Sequence, residues 1–336
     1  MAAGRRHSDI VIGLTAVVIA VTAGEPRVLT VRRVRHRLGE SRNRKRRVPN
    51  EVLAALPFGP FDPVGHRTLE LGLRAWVGEQ ANLTLGYVEQ LYTFADRDRE
   101  ALGTKRGARV ASIGYLALVR EARPAGKGDA QWEDWYRCFP WEDSRKGRSP
   151  IIARVIVPRL VKWAQSARDA EERRRRDERT RTSFGLAPAL WDEERVLERY
   201  ELLYEAGLVA EAQRGRARRS IPGPPIPGQP MMFDHRRILA TAMSRLRGKL
   251  WYRPLVFELM PPAFTLLQLQ QTVEALAGVA LHKQNFRRLV EQGGLVERVG
   301  VWERGTGGRP AEKFRFRREV VVERPALGVR LPVSRR

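Results

Sequence analysis

The chain is short of cysteine, of acidic residues and of long apolar runs. Its 336 residues contain one cysteine, Cys138, so no internal disulfide can form. No Cys/His group has the spacing of a structural zinc site. A reduced, cytoplasmic protein is the expectation. Acidic residues number 38 against 62 Lys and Arg, a net charge of +24. Such an excess is the usual electrostatic footprint of a nucleic-acid binder. The segment Ile10–Val21, after Arg5 and Arg6, imitates a signal peptide. At 12 residues it is shorter than the roughly 20 a bilayer span requires. Its Val, Ile and Thr favour a strand. Gly24-Glu25-Pro26 then signals a turn, so a β-hairpin and no membrane segment are expected.

What is present is ample core material. Hydrophobic residues make up 43%, which excludes a wholly disordered chain. The length suggests about two domains. Strands are expected at Ile10–Val21, Val28–Val34, Gly86–Phe94 and Val110–Val119. A helix is expected from Thr68 to Ala81, with Leu69, Leu73, Trp76 and Val77 on one face. The basic run at 41–47 reads as a solvated loop. The aromatic cluster Trp132, Trp135, Tyr136, Phe139 and Trp141 reads first as packing, with base stacking as the alternative. Residues 149–207 read as helical. At 213–230, four arginines precede Pro222, Pro224, Pro225, Pro227 and Pro230, which forbid a helix. A linker and domain boundary are expected there.

From Met231 onward, 20 Lys or Arg face 9 Asp or Glu. A first helix is expected over Arg236–Leu250, with Ile238, Ala242, Leu246 and Leu250 inward. Thr265 should cap a second helix carrying Leu266, Leu269, Val273, Leu276 and Ala277, closed by Gly278. A third, His282–Gln292, should bury Phe286, Leu289 and Val290. Its other face presents Lys283, Gln284, Arg287 and Arg288, with Asn285 at the edge. These side-chain types read bases and grip phosphates. Leu295–Val301 and Lys313–Arg317 around a Gly-rich tip complete a winged helix. Base contacts are expected from Lys283, Gln284, Asn285 and Arg287, and phosphate contacts from Arg288 and Thr265. Arg309 at the wing tip is expected in the minor groove, where A·T-rich DNA concentrates negative potential.

The motifs Glu258-Leu-Met-Pro-Pro-Ala-Phe-Thr, Lys283-Gln-Asn-Phe-Arg-Arg and Gly308-Arg-Pro-Ala resemble the winged helix of Nudix-related, NrtR-type transcriptional regulators of NAD metabolism. Val88-Glu-Gln-Leu-Tyr-Thr-Phe and Val110-Ala-Ser-Ile-Gly-Tyr are similar to the strands after the Nudix helix. Trp135-Tyr-Arg-Cys-Phe-Pro-Trp resembles the alphaproteobacterial NAD-regulator branch (NadQ-like). The resemblance covers most of the chain, apart from 41–47 and the last dozen residues.

It implies an α+β chain: a Nudix-like α/β/α sandwich at 1–130, a helical insert at 131–212, the linker at 213–230 and the winged helix at 231–325. It implies a probable-repressor class of regulator, a homodimer on double-stranded operator DNA, with no bound cofactor. The effector would be ADP-ribose, NAD or ATP, with Arg33, Arg74, Tyr92 and Phe94 as pocket residues. Hydrolytic Nudix proteins carry several carboxylates on one helix to hold metal ions. With the motif Arg at Arg74, Pro60 replaces the first Gly, His66 the first Glu, Ala75 and Gly78 two helix carboxylates, and Ala81 the second Gly. Only Glu79 remains beside Arg74. The expectation is therefore no catalytic residues and no metal. The rival readings are a Nudix hydrolase with an accessory nucleic-acid-binding domain, and a constitutive binder using the Nudix-like part as a scaffold.

Overall fold

The computed structural model describes residues 10–35, 51–95, 109–120, 130–213, 223–250, 253–303 and 310–319. The basic run 41–47 and Arg309 lie outside the described residues. The hairpin expected at the start is present. Strand β1 (Ile10–Thr22) turns at Ala23 and Gly24 into β2 (Glu25–Arg35). Both turn residues have positive φ, 51° and 74°, which matches the twist of a tight hairpin.

A mixed sheet grows around this hairpin. β3 (Glu51–Ala55), β2, β1, β6 (Arg109–Leu118) and β5 (Tyr87–Phe94) lie in that order. β4 (Phe58–Pro60) pairs with β1, and β7 (Ala130–Asp134) with β2. β1 runs parallel to β6 from Ile10 to Ile19. From Leu14 to Ala20 every β1 residue is buried. Alternate side chains point to opposite faces. Leu14, Ala16 and Val18 pack under helix α1 (Leu69–Ala81) with Leu73 and Val77. Val17 and Ile19 pack on the other face with Trp135, Phe139 and Ile238. Burial on both faces explains why this strand reads as an unbroken apolar run. β3, β4 and β7 were not expected. β4 is three residues long, and Ala130–Asp134 carries two carboxylates and one large apolar side chain.

The insert contains one π turn (Ile152–Ile156) and helices α2 (Val157–Gln165), α3 (Ala170–Phe184), α4 (Val196–Glu205) and α5 (Ala210–Gln213). Its aromatics are core. Trp135, Tyr136, Phe139 and Trp141 are buried, and Trp132 is half-buried. Stacking on bases is thereby corrected for those four. α3 is a solvated charged helix, with Arg175 on Glu171 and Arg176 on Glu172 at i,i+4.

Residues 223–230 lie against the insert. Ile226 is buried, its N–H donating to the Leu208 carbonyl at 2.8 Å, and the Gln229 N–H donates to Arg137 at 2.7 Å. Helix α6 (His235–Leu250) follows, with Ile238, Ala242, Leu246 and Leu250 inward as expected. It packs against α4 and strands β5, β6 and β1. The second helical layer over the sheet is thus supplied by α6. One apolar cluster runs from the sheet through the insert to the C-terminal helices. After a 3-10 turn (Leu255–Glu258) come β8 (Phe264–Thr265), α7 (Leu266–Ala277), α8 (Lys283–Gln292), β9 (Val296–Glu303) and β10 (Ala311–Phe316). The small sheet has the order β8-β10-β9. Among the described residues, no helix is long and apolar enough to cross a membrane.

Candidate nucleic-acid interface

α7 and α8 form the helix-turn-helix. Thr265 caps α7 in a full capping box: its hydroxyl accepts from the Gln268 N–H, and Gln268 Oε1 accepts from the Thr265 N–H at 2.8 Å. Thr265 is buried and its hydroxyl engaged, so the expected phosphate contact is corrected to a structural cap. α8 is amphipathic. Phe286 and Val290 are buried and Leu289 is half-buried. Lys283, Gln284, Arg287 and Arg288 are exposed, and Asn285 is half-exposed. Among the described residues, no carboxylate lies within 4.0 Å of the cations of Lys283, Arg287 or Arg288. α8 therefore presents these donors to solvent. In the wing the charges are paired instead: Arg298 with Glu312 at 3.7 Å, Lys313 with Glu303 at 3.7 Å, and Arg315 with Glu297.

The turn between α7 and α8 is gripped from the insert. Gly278 ends α7 at φ 75°, where a side chain would meet the Glu142 carbonyl at 2.5 Å. The Ser144 N–H donates to the Gly278 carbonyl at 2.7 Å. Behind it lies a buried ionic cluster. Glu142 accepts from Arg199 at 2.6 and 2.8 Å and from Arg247 at 2.9 Å. Arg247 also donates to the Leu276 carbonyl at 3.0 Å, and the Tyr136 hydroxyl donates to Ala275 at 2.8 Å. A cation there complements the negative end of α7. Burial alone would lower the Arg247 guanidinium; Tyr136 and Glu142 beside it raise it. Next along the loop, Arg145 reaches the β1–β2 turn: it donates to the Gly24 carbonyl and to Glu25, each at 2.8 Å. Sequence reading missed Glu142, Arg145, Arg199 and Arg247, because buried and solvated charges carry no distinguishing local pattern.

The expected effector residues do not converge. Tyr92 and Phe94 are neighbours on β5, their rings 5.7 Å apart, but Tyr92 is exposed and Phe94 is core. Arg33 lies on β2, with β1 and β6 between it and β5. Arg74 is engaged: it donates to the carbonyls of Leu85 and Gly86 and to Glu70, holding the approach to β5. The four do not form one pocket. Around α1, Trp76 donates to the Pro60 carbonyl at 2.9 Å, and His66 accepts from the Asp62 N–H at 3.1 Å. Ala75 and Glu79 are exposed. No cluster of three His, Cys, Asp or Glu among the described residues is arranged to hold a metal. Burial pushes the Cys138 thiol up to about 12, so it is inert packing.

Residues 256–316 match the family model described as the NrtR DNA-binding winged helix domain. Over those residues the chain resembles the NrtR winged helix. Over 86 residues, 26% of its length, it is 41% identical to the ADPR responsive transcriptional repressor NtrR of Acinetobacter baylyi, and that match spans 34% of the relative. Shewanella oneidensis NrtR, solved with a 27mer DNA, has a TM-score of 0.51 at 19% identity. The likeness covers 93% of this chain and 95% of that one. The same protein without DNA has a TM-score of 0.51 over 91% and 94%. These likenesses give the NrtR fold: a Nudix-like domain followed by a winged helix. The NrtR winged helix begins at the 3-10 turn, so α6 lies before the matched residues.

Proposed function

We propose that the chain is a DNA-binding transcriptional repressor of NAD-metabolism genes that senses an adenine nucleotide, most simply ADP-ribose. The observation carrying the DNA half is the exposed face of α8, where Lys283, Arg287 and Arg288 have no carboxylate partner among the described residues. Lys283, Gln284, Asn285 and Arg287 meet base edges there, and Arg288 a phosphate. Arg309 at the tip adds a minor-groove contact. The effector half is supported by the name of the Acinetobacter relative. Residues 1–130 form the effector unit, 131–212 its insert and 231–325 the operator-binding unit. The chain acts in the cytoplasm as a homodimer, since a two-fold protein matches two half-sites.

The Nudix-like domain binds without hydrolysing. Hydrolysis needs several carboxylates to hold metal ions at the diphosphate. Of the motif's helix carboxylates only Glu79 remains, and Arg74 is engaged with Leu85, Gly86 and Glu70. To test the proposal, a duplex is selected from a randomised pool with the full chain. Its affinity is then measured against ADP-ribose, NAD and ATP. The expected result is selective duplex binding that changes with one nucleotide only. Magnesium-dependent ADP-ribose turnover of about 1 per second or faster would make the chain a hydrolase instead.

A further inference from the structure

The strand that leads out of α8 exposes apolar side chains as well as Arg298. β9 is the free edge of the order β8-β10-β9. Arg298 stands opposite Phe314 and Trp302 opposite Glu312, so Val299, Gly300 and Val301 together face Lys313 alone. Gly300 takes φ 74°, the left-handed conformation of a bulge residue. A bulge bends its strand and re-aims the side chains beyond it. Beyond this one, Val301 and Trp302 are each 52% exposed. Neither contributes much to the fold where it stands. Glu303 and Glu297 hold Lys313 and Arg315, so those two cations are already partnered. Arg298 differs. Its side chain is 71% exposed and its pair with Glu312 is long, at 3.7 Å. An exposed pair of this kind is weak.

Arg298 and Trp302 thus both border Glu312, the first through a 3.7 Å ion pair and the second as its cross-strand partner. We infer that this Arg298–Trp302 face is a contact to duplex DNA, in which the indole packs on a deoxyribose in the groove wall and the guanidinium takes the adjoining phosphate. The inference rests on the DNA-binding reading above. Duplex DNA suits the chemistry: sugars offer apolar C–H surface bordered by anions, and indole offers an apolar body with one N–H donor. A second copy of the chain suits it less. A two-fold contact lays the same patch against itself. α8, directly before β9, would then bring like charge towards like charge, whereas a duplex brings phosphates to both.

The test uses the full chain and the labelled duplex selected above, with anisotropy measured across a salt series. Trp302→Ala should weaken binding about tenfold with the salt slope unchanged, because an apolar contact displaces no counterions. Trp302→Phe should recover most of the loss. Arg298→Ala should lower the slope by about one. Trp302 is exposed, so the alanine variant keeps its core and its thermal midpoint. If the wild type selects no duplex at all, the DNA reading itself fails. If the wild type binds and Trp302→Ala binds as tightly, this inference alone is overturned. A change of sedimentation on Trp302→Ala with duplex affinity intact would assign the face to a second copy and overturn it equally.

Discussion

Two groups of basic residues in this chain are alike in sequence and opposite in use. Arg199 and Arg247 are buried against Glu142, with every strong donor directed at a carboxylate, a carbonyl or Tyr136. Lys283, Arg287 and Arg288 are exposed on α8, with no carboxylate in reach among the described residues. The first group joins the insert, α6 and the C-terminal end of α7. The second group is presented by what the first holds in place. A buried guanidinium is tolerated only when paired and hydrogen-bonded, whereas an exposed one is solvated until an anion arrives. Position, not composition, separates scaffold from solvent-facing charge.

The contrast is most easily broken at Glu142. Glu142→Gln leaves Arg199 and Arg247 buried without their counter-charge, which should cost about 3–5 kcal/mol of stability. Denaturant unfolding of the full chain checks this, and a loss comparable to a surface substitution would show the cluster to be dispensable. On α8 the same removal of charge should act on binding alone. Lys283→Ala and Arg287→Ala should each weaken operator affinity by about 1–3 kcal/mol at fixed salt. Their unfolding midpoints should stay with wild type, since surface changes stay within about 0.5 kcal/mol. Unchanged affinity in both variants would move the recognition surface elsewhere. Arg309→Ala should have a smaller effect, lowering the salt slope by about one and weakening operators with A·T-rich flanks more than those with G·C-rich flanks. Equal losses on both flanks would reduce it to a generic phosphate contact.

The smallest effect sharpens the comparison at its margin, in the half-buried loop beside the cluster. Burial alone would raise the Asp143 carboxyl, but its bonds from Arg145 hold it below the ordinary carboxylate value. A lowered carboxylate stabilises the fold fully above its unfolded pKa, and that contribution is lost as pH falls through the folded pKa. Asp143→Asn should therefore lower stability slightly at neutral pH and flatten the acid limb of a stability–pH profile, with the variant and wild type converging at low pH. An acid limb identical to wild type would mean that Arg145 is held by Glu25 and Gly24 alone.

The helix-turn-helix was legible because its signals are local. Thr265, three residues before Gln268, marks a cap; Gly278 marks a stop; and Phe286 with Val290 marks the buried stripe opposite Lys283 and Arg287. The hairpin of β1 and β2 was legible for the same reason. Effector residues were not. Arg33, Arg74, Tyr92 and Phe94 were chosen by residue type, and type says nothing of whether strands bring side chains together. Here β1 and β6 intervene, Arg74 is engaged with backbone carbonyls, and Phe94 is core. Thr265 reads as a phosphate ligand by residue type, but its side chain is buried at the start of α7, where it caps the helix.

By itself the sequence determined the periodicities: an apolar strand buried on both faces, an amphipathic α1, three C-terminal helices and a wing, and a large positive charge. These follow from propensity, capping and the 2- and 3.6-residue repeats, which act within a few residues. Tertiary structure alone decided that α6 covers the sheet, that Glu142 draws Arg199 and Arg247 inside, and that Arg145 links the β1–β2 turn to the loop gripping the helix-turn-helix. Those contacts join residues dozens to more than a hundred positions apart. Their energy depends on burial and on which partner is in reach, and neither exists until the chain has folded.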